Sequence, residues 1–425
     1  MLKRAVESIN DTCFIWRQEL KRMFKDEGVI IFFIVVPLLY PLLYSWIYNN
    51  EVVHEVPVVV VDDCHTALSR KFIRQCDASP DVKVLCYAAD IDEARSLVSR
   101  QLAKGVYVIP SDFETRLNRM EQATVTVYCD MSLMLAYKAI YQTAQTVSQQ
   151  MGSEVTTKLS TLRSAEGRLH SKNSKFSTLR EEEITARPLD YDEVAIFNPS
   201  GGYGSSIIPA VLMLILQQTL VLGIGMLAGT SREENRYSNL IPFSRQYHGM
   251  FRIVSGKALA YLMVYIPLAA YLALVVPWMF GFPAIGHWQT LLAMMIPYLL
   301  DCTFFGMVVS CMVRYRENVM LLMVFVSIPL LFLSGVSWPQ TSIPGFWQGV
   351  SWLFPSTFGI RAYVRVNSMG CSLSDILLEY QILWVQTVVY FILACLVYRY
   401  QIHLTRQAVR DRVARMKAKS KIRKS

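Results

Sequence analysis

Long runs without a charged side chain dominate the hydrophobic pattern of this chain. Residues 194–231, 258–300 and 380–398 contain no Asp, Glu, Lys or Arg. A helix of about 20 apolar residues crosses the hydrocarbon core of a bilayer, and an ordinary soluble core helix does not need a run of this length. The pattern predicts six transmembrane helices, at about residues 29–47, 206–228, 258–280, 289–312, 319–336 and 380–398.

A different pattern covers residues 51–195, where charged residues return and short β-rich runs alternate with amphipathic segments. The pattern predicts strands at 57–61, 82–87, 106–109 and 124–128, and helices at 66–78 and 90–102. Asp90 is a candidate N-cap, because Glu93 follows three residues later. Strands that alternate with helices are typical of a small α/β domain.

A long helical segment is predicted at about 131–180. Its apolar residues recur at every third or fourth position, which is the helical repeat, and they are Ile140, Ala144, Val147, Met151, Val155, Leu159 and Leu162. Such a helix packs on its own domain or pairs with a partner, and the sequence pattern allows both interpretations.

An amphipathic helix is predicted at residues 12–26, before the first transmembrane helix. Cys13, Trp16, Leu20 and Met23 form one apolar stripe, and the basic residues nearby lie elsewhere on the helix. This pattern is typical of a helix that lies in the headgroup region of a membrane. A plain cytoplasmic lead-in is the alternative.

The distribution of basic residues predicts the orientation. The net charge is +9, and most Lys and Arg lie in residues 1–28, 230–257, 313–318 and 399–425. Basic residues collect on the cytoplasmic side of membrane proteins, so both termini are expected in the cytoplasm and residues 51–195 outside. The basic tail could instead bind nucleic acid, but the topological explanation is the stronger one, and no nucleic-acid partner is expected.

The predicted fold is a membrane all-α protein with six transmembrane helices. An α/β extracytoplasmic domain is inserted between the first and second of them. The predicted division has a cytoplasmic amphipathic helix at 1–28, transmembrane helix 1 at 29–50, the α/β domain at 51–195, transmembrane helices 2–6 at 196–400 and a basic cytoplasmic tail at 401–425. Within 196–400, a cytoplasmic coupling loop is predicted at 229–257 and an external re-entrant segment at 337–379.

Catalytic and metal-binding motifs are missing from the sequence. Gly256-Lys257 is not part of a phosphate-binding loop, because Ala258 stands where Ser or Thr would bind magnesium. The nine cysteines form no CxxC pair and no cluster at zinc spacing, so no metal or cofactor is expected in this chain. Four of them lie in the 51–195 region and could be paired or free: Cys64, Cys76, Cys86 and Cys129. No enzymatic activity is predicted.

Two short segments carry a family resemblance. One runs from Ser334-Gly335 through Trp338-Pro339 and Pro344 to a stretch that begins at Pro355. The other is Asn198-Pro199 with Tyr203 four residues later, just before the second transmembrane helix. Together with the order of one helix, a large domain and five further helices, these segments resemble the permeases of the ABC-2 type transporter family.

The resemblance implies a bacterial exporter subunit of the inner membrane. ATP and magnesium would be bound by a separate ABC-type ATPase, and the chain would form a homodimer or a heterodimer with a related permease. A periplasmic adaptor and membrane lipid are further expected partners. The alternative is a membrane-anchored receptor or assembly protein that binds a partner through residues 51–195.

The resemblance also implies where the ATPase docks. The candidate coupling residues lie on the amphipathic helix and in the cytoplasmic segment after the second transmembrane helix: Trp16, Leu20, Arg232, Glu233, Glu234 and Arg236. A solvated linker without a partner is the alternative for the second group.

Candidate pathway or gate residues lie on the fourth transmembrane helix and after the fifth: Asp301, Ser334, Gly335, Trp338, Pro339, Pro344 and Pro355. A charged group at bilayer depth costs about 3 kcal/mol or more, so Asp301 is expected to face the bundle interior or a cavity. It contacts substrate, carries a proton or makes a structural hydrogen bond. The Pro- and Trp-rich segment forms an external gate or a static plug.

Overall fold

The computed structural model describes residues 2–48, 53–119, 121–129, 134–168, 202–233, 250–282, 284–313 and 315–422. The chain divides into two compact units. The helical unit combines Met1–Asn49 with Ile196–Ser425, and the α/β unit covers Asn50–Ala195. Both units have their own hydrophobic core.

Long helices make up the helical unit. Numbered along the whole chain, they are α1 (Leu2–Met23), α2 (Glu27–Ile47), α7 (Tyr203–Glu233), α8 (Met250–Phe280), α9 (Trp288–Met312), α10 (Arg316–Leu333), α11 (Gly345–Ser351), α12 (Pro355–Met369) and α13 (Leu377–Ile422). Within the described residues, six are long and apolar enough to cross a membrane: α2, α7, α8, α9, α10 and the Leu377–Gln401 part of α13. The predicted number of transmembrane helices is therefore matched.

Some helix ends differ from those that the hydrophobic pattern predicts. α8 begins at Met250 rather than at 258, because the charge of Lys257 is buried against a partner and does not end the helix. α10 ends at Leu333 rather than at 336, because Gly335 adopts a φ of +86° just beyond it. A left-handed glycine is a common helix terminator. The α7 and α8 helices therefore extend into both ends of the predicted 229–257 loop, and α13 continues into the predicted basic tail.

A proline inside α8 is accommodated by a side chain from another helix. Pro277 has no N–H, so the Ala273 carbonyl four residues earlier loses its usual donor. The helix widens to a π-helical turn at Tyr271–Val275, and the Tyr363 hydroxyl of α12 donates to the Ala273 carbonyl at 3.3 Å. A neighbouring helix thus satisfies a backbone group that lipid could not satisfy.

The central helix of the helical unit is α7. In the most apolar stretch of α7, 83% of the residues are buried, whereas in that of α10 only 11% of the residues are buried. Glycines allow the close packing: a Cβ on Gly223 would lie 1.6 Å from the Phe33 ring of α2, and one on Gly225 would lie 2.5 Å from Val319 of α10. Small residues at helix crossings are typical of membrane bundles, where close approach supplies the packing energy.

A four-stranded sheet in the order β2-β1-β3-β4 forms the centre of the α/β unit. The strands are β1 (Val56–Asp62), β2 (Val82–Tyr87), β3 (Gly105–Ile109) and β4 (Thr126–Cys129), and the helices are α3 (Ala67–Asp77), α4 (Ile91–Ser99), α5 (Phe113–Asn118) and α6 (Met134–Arg168). β1 is parallel to β2 and β3, and β4 is antiparallel to β3.

Helices cover both faces of this sheet, as a parallel sheet requires. Phe72 of α3 and Ile140 of α6 belong to the core on one face, and Ala94 of α4 belongs to the core on the other. The long helix α6 therefore packs on its own unit as far as Met151. Residues 169–180, which the sequence assigned to the same helix, lie outside the described residues.

Local chemistry in the α/β unit matches one expectation from the sequence and answers an open question. Asp90 is the N-cap of α4, and its side chain accepts a hydrogen bond from the Ile91 N–H at 2.6 Å. Every cysteine of the chain is a free thiol. Burial raises the pKa of Cys76 to about 12 and that of Cys129 to about 11, so both stay protonated at neutral pH.

Candidate functional site

Helix α1 packs closely on α8, and its buried side includes a carboxylate. Ile15, Glu19 and Met23 are all buried, and their spacing of four residues places them on one side of the helix. A Cβ on Gly256 of α8 would lie 2.9 Å from the Thr12 carbonyl oxygen. The glycine therefore lets the two backbones approach each other.

A buried ion pair joins these two helices. The Glu19 Oε1 accepts hydrogen bonds from the Lys257 Nζ at 3.0 Å and from the Tyr261 hydroxyl at 2.6 Å. Glu19 and Lys257 are each 3% exposed. Burial by itself would raise the pKa of Glu19, but Lys257, the Tyr261 hydrogen bond and Arg22 together hold it below its usual value. The Glu19 carboxylate therefore remains ionised, and we name Glu19, Lys257 and Tyr261 the α1 latch.

The α1 latch is supported on both sides. The Lys257 Nζ lies 5.6 Å from the centre of the Tyr398 ring of α13, which is a cation–π distance. Toward the N-terminus, Asp11 and Arg252 form a second ion pair at 2.9 Å, and both side chains are about one-third exposed. A displacement of α1 would therefore be transmitted to α8 and would also reach α13.

Asp26 connects three candidate transmembrane helices at one end of the bundle. Its Oδ1 accepts from the Gly28 and Val29 N–H groups, which caps α2, and lies 3.3 Å from the Arg316 Nη2 of α10. Its Oδ2 accepts from the Thr230 hydroxyl of α7 at 3.1 Å. One carboxylate thus holds the starts of α2 and α10 and the end of α7 together.

The predicted coupling residues have different surroundings. Trp16 and Leu20 are partly buried and pack against the core of the helical unit, whereas Cys13 of the predicted stripe is exposed. Arg232 donates a hydrogen bond to the Val313 carbonyl at the end of α9. It therefore ties two helix ends together, a role that the sequence did not indicate.

Several predicted positions cannot be compared with the structure. The backbone of Glu233 ends α7, but its side chain lies outside the described part of the chain, as do residues 234–249, which include Glu234 and Arg236. Asn198 and Pro199 also lie outside it. Tyr203 begins α7, and its side chain is not among the described ones.

Asp301 lies inside the helical unit, as expected for a charge at bilayer depth. Its side chain is 0% exposed, and neither carboxylate oxygen has a hydrogen-bond partner among the described residues. Neighbouring positions on α9 do have partners: the Tyr298 hydroxyl donates to the Met213 carbonyl, and the Cys302 thiol lies 3.7 Å from the Gln217 Oε1. Asp301 therefore differs from its neighbours Tyr298 and Cys302 on α9, whose polar groups have partners.

A second unpaired polar group lies at the same level. α12 runs antiparallel to α9, since the Asn367 carbonyl near its end accepts from the Ile285 N–H before α9, and Gly359 packs on Tyr298. Asp301 lies about one turn after Tyr298 on α9, and Ser356 lies about one turn before Gly359 on α12. Because the two helices are antiparallel, both steps lead in the same direction, and Ser356 lies at the level of Asp301. The Ser356 hydroxyl is buried and has no partner within the described residues.

The predicted gate residues mark the turns between α10 and α12. Ser334 is 0% exposed and donates to the Leu331 carbonyl, and Gly335 follows it with positive φ. Pro339 precedes a short 3₁₀ turn, Pro344 is the N-cap residue just before α11, and Pro355 begins α12. Trp338 is 56% exposed. The segment is thus a folded helical excursion, with α12 largely buried.

An apolar cavity of about 370 Å³ opens between the end of α8 and the start of α9. Trp278, Phe282 and Trp288 supply most of its aromatic lining, and Asn367 of α12 is one of its polar residues. No group of three or more His, Cys, Asp or Glu side chains that could hold a metal ion occurs in the described ranges.

The sequence pattern did not single out the charged groups that organise this site. Glu19 and Asp26 lie in a segment that is rich in charged residues, and Lys257 immediately precedes the uncharged run 258–300. One signal was present: Glu19 lies between Ile15 and Met23 at a spacing of four, so it shares their side of the helix. A carboxylate on an otherwise apolar side predicts a buried cation, but not which one.

Comparison with known proteins gives a consistent result. Residues 28–396 match the profile described as ABC-2 family transporter protein. The chain is 22% identical over 368 residues to the linearmycin resistance permease protein LnrN of Bacillus subtilis (strain 168), which covers 84% of this chain and 91% of that protein. It is 20% identical over 348 residues to the probable multidrug ABC transporter permease YbhR of Escherichia coli (strain K12), which covers 80% of this chain and 84% of that protein.

Proposed function

Because the chain belongs to the ABC-2 family of transporter proteins, we propose that it is the permease subunit of an exporter that a separate ABC-type ATPase drives. The observation that carries the proposal is the α1 latch. A helix outside the membrane can move a transmembrane helix only if a stiff contact joins them, and the buried pair of Glu19 and Lys257 is such a contact. ATP and magnesium belong to the partner ATPase in this proposal.

The coupling path begins where the ATPase docks, on α1 and on the segment between α7 and α8. ATP binding closes the ATPase pair and displaces α1. The α1 latch passes this displacement to α8, and Asp26 passes it to α2, α7 and α10. Both ion-pair clusters thus connect the docking surface to the bundle.

The orientation follows from the charges. The basic segments and α1 lie in the cytoplasm, both termini are cytoplasmic, and the α/β unit lies outside the bacterial inner membrane. Two copies of the chain, or one copy with a related permease, enclose the pathway, and the α/β unit meets a periplasmic adaptor. The relatives are named for linearmycin resistance and multidrug transport, and we extend drug efflux to this chain.

Purification of the tagged chain from its own membranes tests the proposal most directly. We expect an ATPase with a Walker-type phosphate loop to copurify and to be identified by mass spectrometry. Repeated isolation of the chain without any ATPase, in a detergent that keeps it monodisperse, would favour a membrane-anchored receptor that uses the α/β unit.

Charge reversal in the coupling segment should separate ATP hydrolysis from transport. In the double variant Glu233→Lys with Glu234→Lys, we expect ATP hydrolysis to continue while efflux falls about tenfold or more, because opposite charges at an interface become like charges. Efflux and hydrolysis are measured in the same vesicles. Lys83→Glu, in the α/β unit, is the matched charge-reversal control. Unchanged efflux by the double variant would remove the coupling assignment.

Asp301→Asn tests the pathway assignment. The change keeps the shape of the side chain and removes its charge, so we expect normal insertion and altered transport. Transport is measured at several pH values in vesicles, and insertion by the amount of monodisperse protein. Thr303→Val, two residues along α9, is the control, because Thr303 only bonds to its own helix. Wild-type transport by Asp301→Asn at every pH would leave Asp301 with a structural role.

A further inference from the structure

Arg361 on α12 is a half-buried cation without a partner. Within the described residues, no acceptor lies at hydrogen-bond or ion-pair distance from its guanidinium group. Its neighbour Arg365, one turn later, pairs instead with Glu379 at 2.9 Å. Desolvation by burial lowers the pKa of Arg361, so the protein holds this charge where water solvates it poorly. An arginine presents five N–H donors, and here all of them are available.

Glu379 attracts Arg361 as well as Arg365, but one carboxylate does not neutralise two guanidinium groups. Arg361, Arg365 and Glu379 form a group with two positive charges and one negative charge, and the accepting oxygen of Glu379 is bound to Arg365. Asp375 is fully exposed, and it interacts with Arg365 rather than with Arg361. The group therefore keeps an excess positive charge that is centred on Arg361.

Aromatic side chains form the surface beside this cation. The Arg361 Cζ lies 5.8 Å from the centre of the Phe358 ring, and the Phe358 ring meets the Trp352 ring edge to face at 5.4 Å. Trp352 is 54% exposed, and Leu353 next to it is 60% exposed. The Phe358 side chain itself is 1% exposed, so Trp352 and Leu353 form the exposed apolar surface near the cation. A guanidinium group near such a surface matches a molecule that has an anionic headgroup and a hydrocarbon part.

The predicted gate forms the other wall of the site. The Arg361 Nε lies 4.0 Å from the position that a Cβ would take on Gly335. Gly335 follows α10, has a φ of +86°, and thus brings bare backbone close to the guanidinium group. A ligand bound to Arg361 would therefore contact the segment after α10, which the sequence predicts to be an external gate.

We propose that Arg361 binds the acidic headgroup of an anionic amphiphile, whose hydrocarbon part lies along the exposed side chains of Trp352 and Leu353. The substrate class of the exporter then includes phosphate- or carboxylate-headed amphiphiles. The substrate assignment, and the placement of this site at the outer leaflet that follows from the proposed orientation, rest on the proposed function. The binding chemistry is independent of it, because the site belongs to the helical unit alone.

Native mass spectrometry of the purified full chain in a neutral detergent tests the binding. The probes are phosphatidylglycerol and phosphatidylcholine with identical acyl chains. We expect the wild type to prefer phosphatidylglycerol, and Arg361→Gln to lower its affinity about tenfold, because a charge-assisted hydrogen bond is lost. Arg361→Lys should lie between the two, because it keeps the charge but loses the planar fork.

Arg252→Gln is the matched control, since it removes an arginine that already has a carboxylate partner. Its preference for phosphatidylglycerol should equal that of the wild type. Arg361→Gln should also keep the wild-type melting temperature, because it removes no hydrogen bond to any of the described residues. A wild-type preference in Arg361→Gln, or an equal loss in Arg252→Gln, would overturn the proposal.

Lysophosphatidylglycerol added to the chain reconstituted with its ATPase identifies the source of the ligand. Stimulated ATP hydrolysis in the wild type, absent in Arg361→Gln, identifies an exported amphiphile. Binding without stimulation identifies a lipid of the surrounding leaflet at the same site, and contradicts the substrate assignment. Neither result depends on Glu233 and Glu234, so a failure here leaves the coupling test intact.

Discussion

Lys257→Ala is expected to lower the free energy of unfolding by about 3 kcal/mol, because the buried Glu19 carboxylate loses its nearest cation and keeps only the ion pair with Arg22 at 3.6 Å. Glu19 and Lys257 are each 3% exposed, so water cannot replace the missing cation without opening the contact between α1 and α8. The Tyr261 hydroxyl would remain as a hydrogen-bond donor to Glu19, but it carries no charge. The effect is measured as a change in the melting temperature of the purified chain, which is monitored by the loss of monodisperse protein.

Two further variants separate the ion pair from simple packing. Arg252→Ala breaks the ion pair with Asp11, whose side chains are about one-third exposed, and is expected to cost at most about 1 kcal/mol because solvent screens the pair. The double variant Glu19→Gln with Lys257→Met removes both charges and should recover much of the loss. If Lys257→Ala and Arg252→Ala had the same melting temperature, the α1 latch would not be a stiff connection. The proposed coupling path would then lose its support.

Gly223→Ala is expected to disrupt the contact between α2 and α7, at a cost of about 3 kcal/mol or more. A Cβ at this position would lie 1.6 Å from the Phe33 ring, and that ring has no free space because Tyr265 of α8 lies against it at 4.6 Å. Overpacking a tight core forces backbone shifts of this cost. The melting temperature and the yield of monodisperse protein measure the change.

A compensating substitution tests the explanation. Phe33→Leu makes room for the new methyl group, so the double variant with Gly223→Ala should melt higher than Gly223→Ala alone. Gly349→Ala on α11 is the control, because a Cβ there meets no atom within 4 Å. Equal effects of Gly223→Ala and Gly349→Ala would show that helix propensity, and not the Phe33 contact, decides the outcome.

Lys257→Ala and Gly223→Ala both change contacts at one junction between helices of the bundle. Phe33 of α2 contacts Tyr261 as well as Tyr265 of α8, and Tyr261 donates to Glu19 of α1. The junction thus connects α1, α2, α7 and α8. A change that loosens it should lower transport together with stability, whereas Asp301→Asn should alter transport alone.

Much of the architecture is determined by the sequence itself. Uncharged runs of membrane length, alternating strand and helix patterns in residues 51–195, and the cap at Asp90 all depend on local periodicity and side-chain chemistry. Such patterns are visible in one dimension because each helix or strand must bury its own apolar side. The same argument placed Asp301 inside the helical unit, since a charge on a membrane helix avoids lipid.

Only the tertiary structure decided which charges meet. Glu19 and Lys257 are separated by more than two hundred residues in the chain, and nothing in either segment specifies the other as its partner. The same holds for Asp26 with Arg316, and for Arg361, which unlike Arg365 has no carboxylate at ion-pair distance among the described residues. Pairing depends on helix packing, and helix packing depends on shapes such as the gap at Gly223, which appear only when distant segments come together.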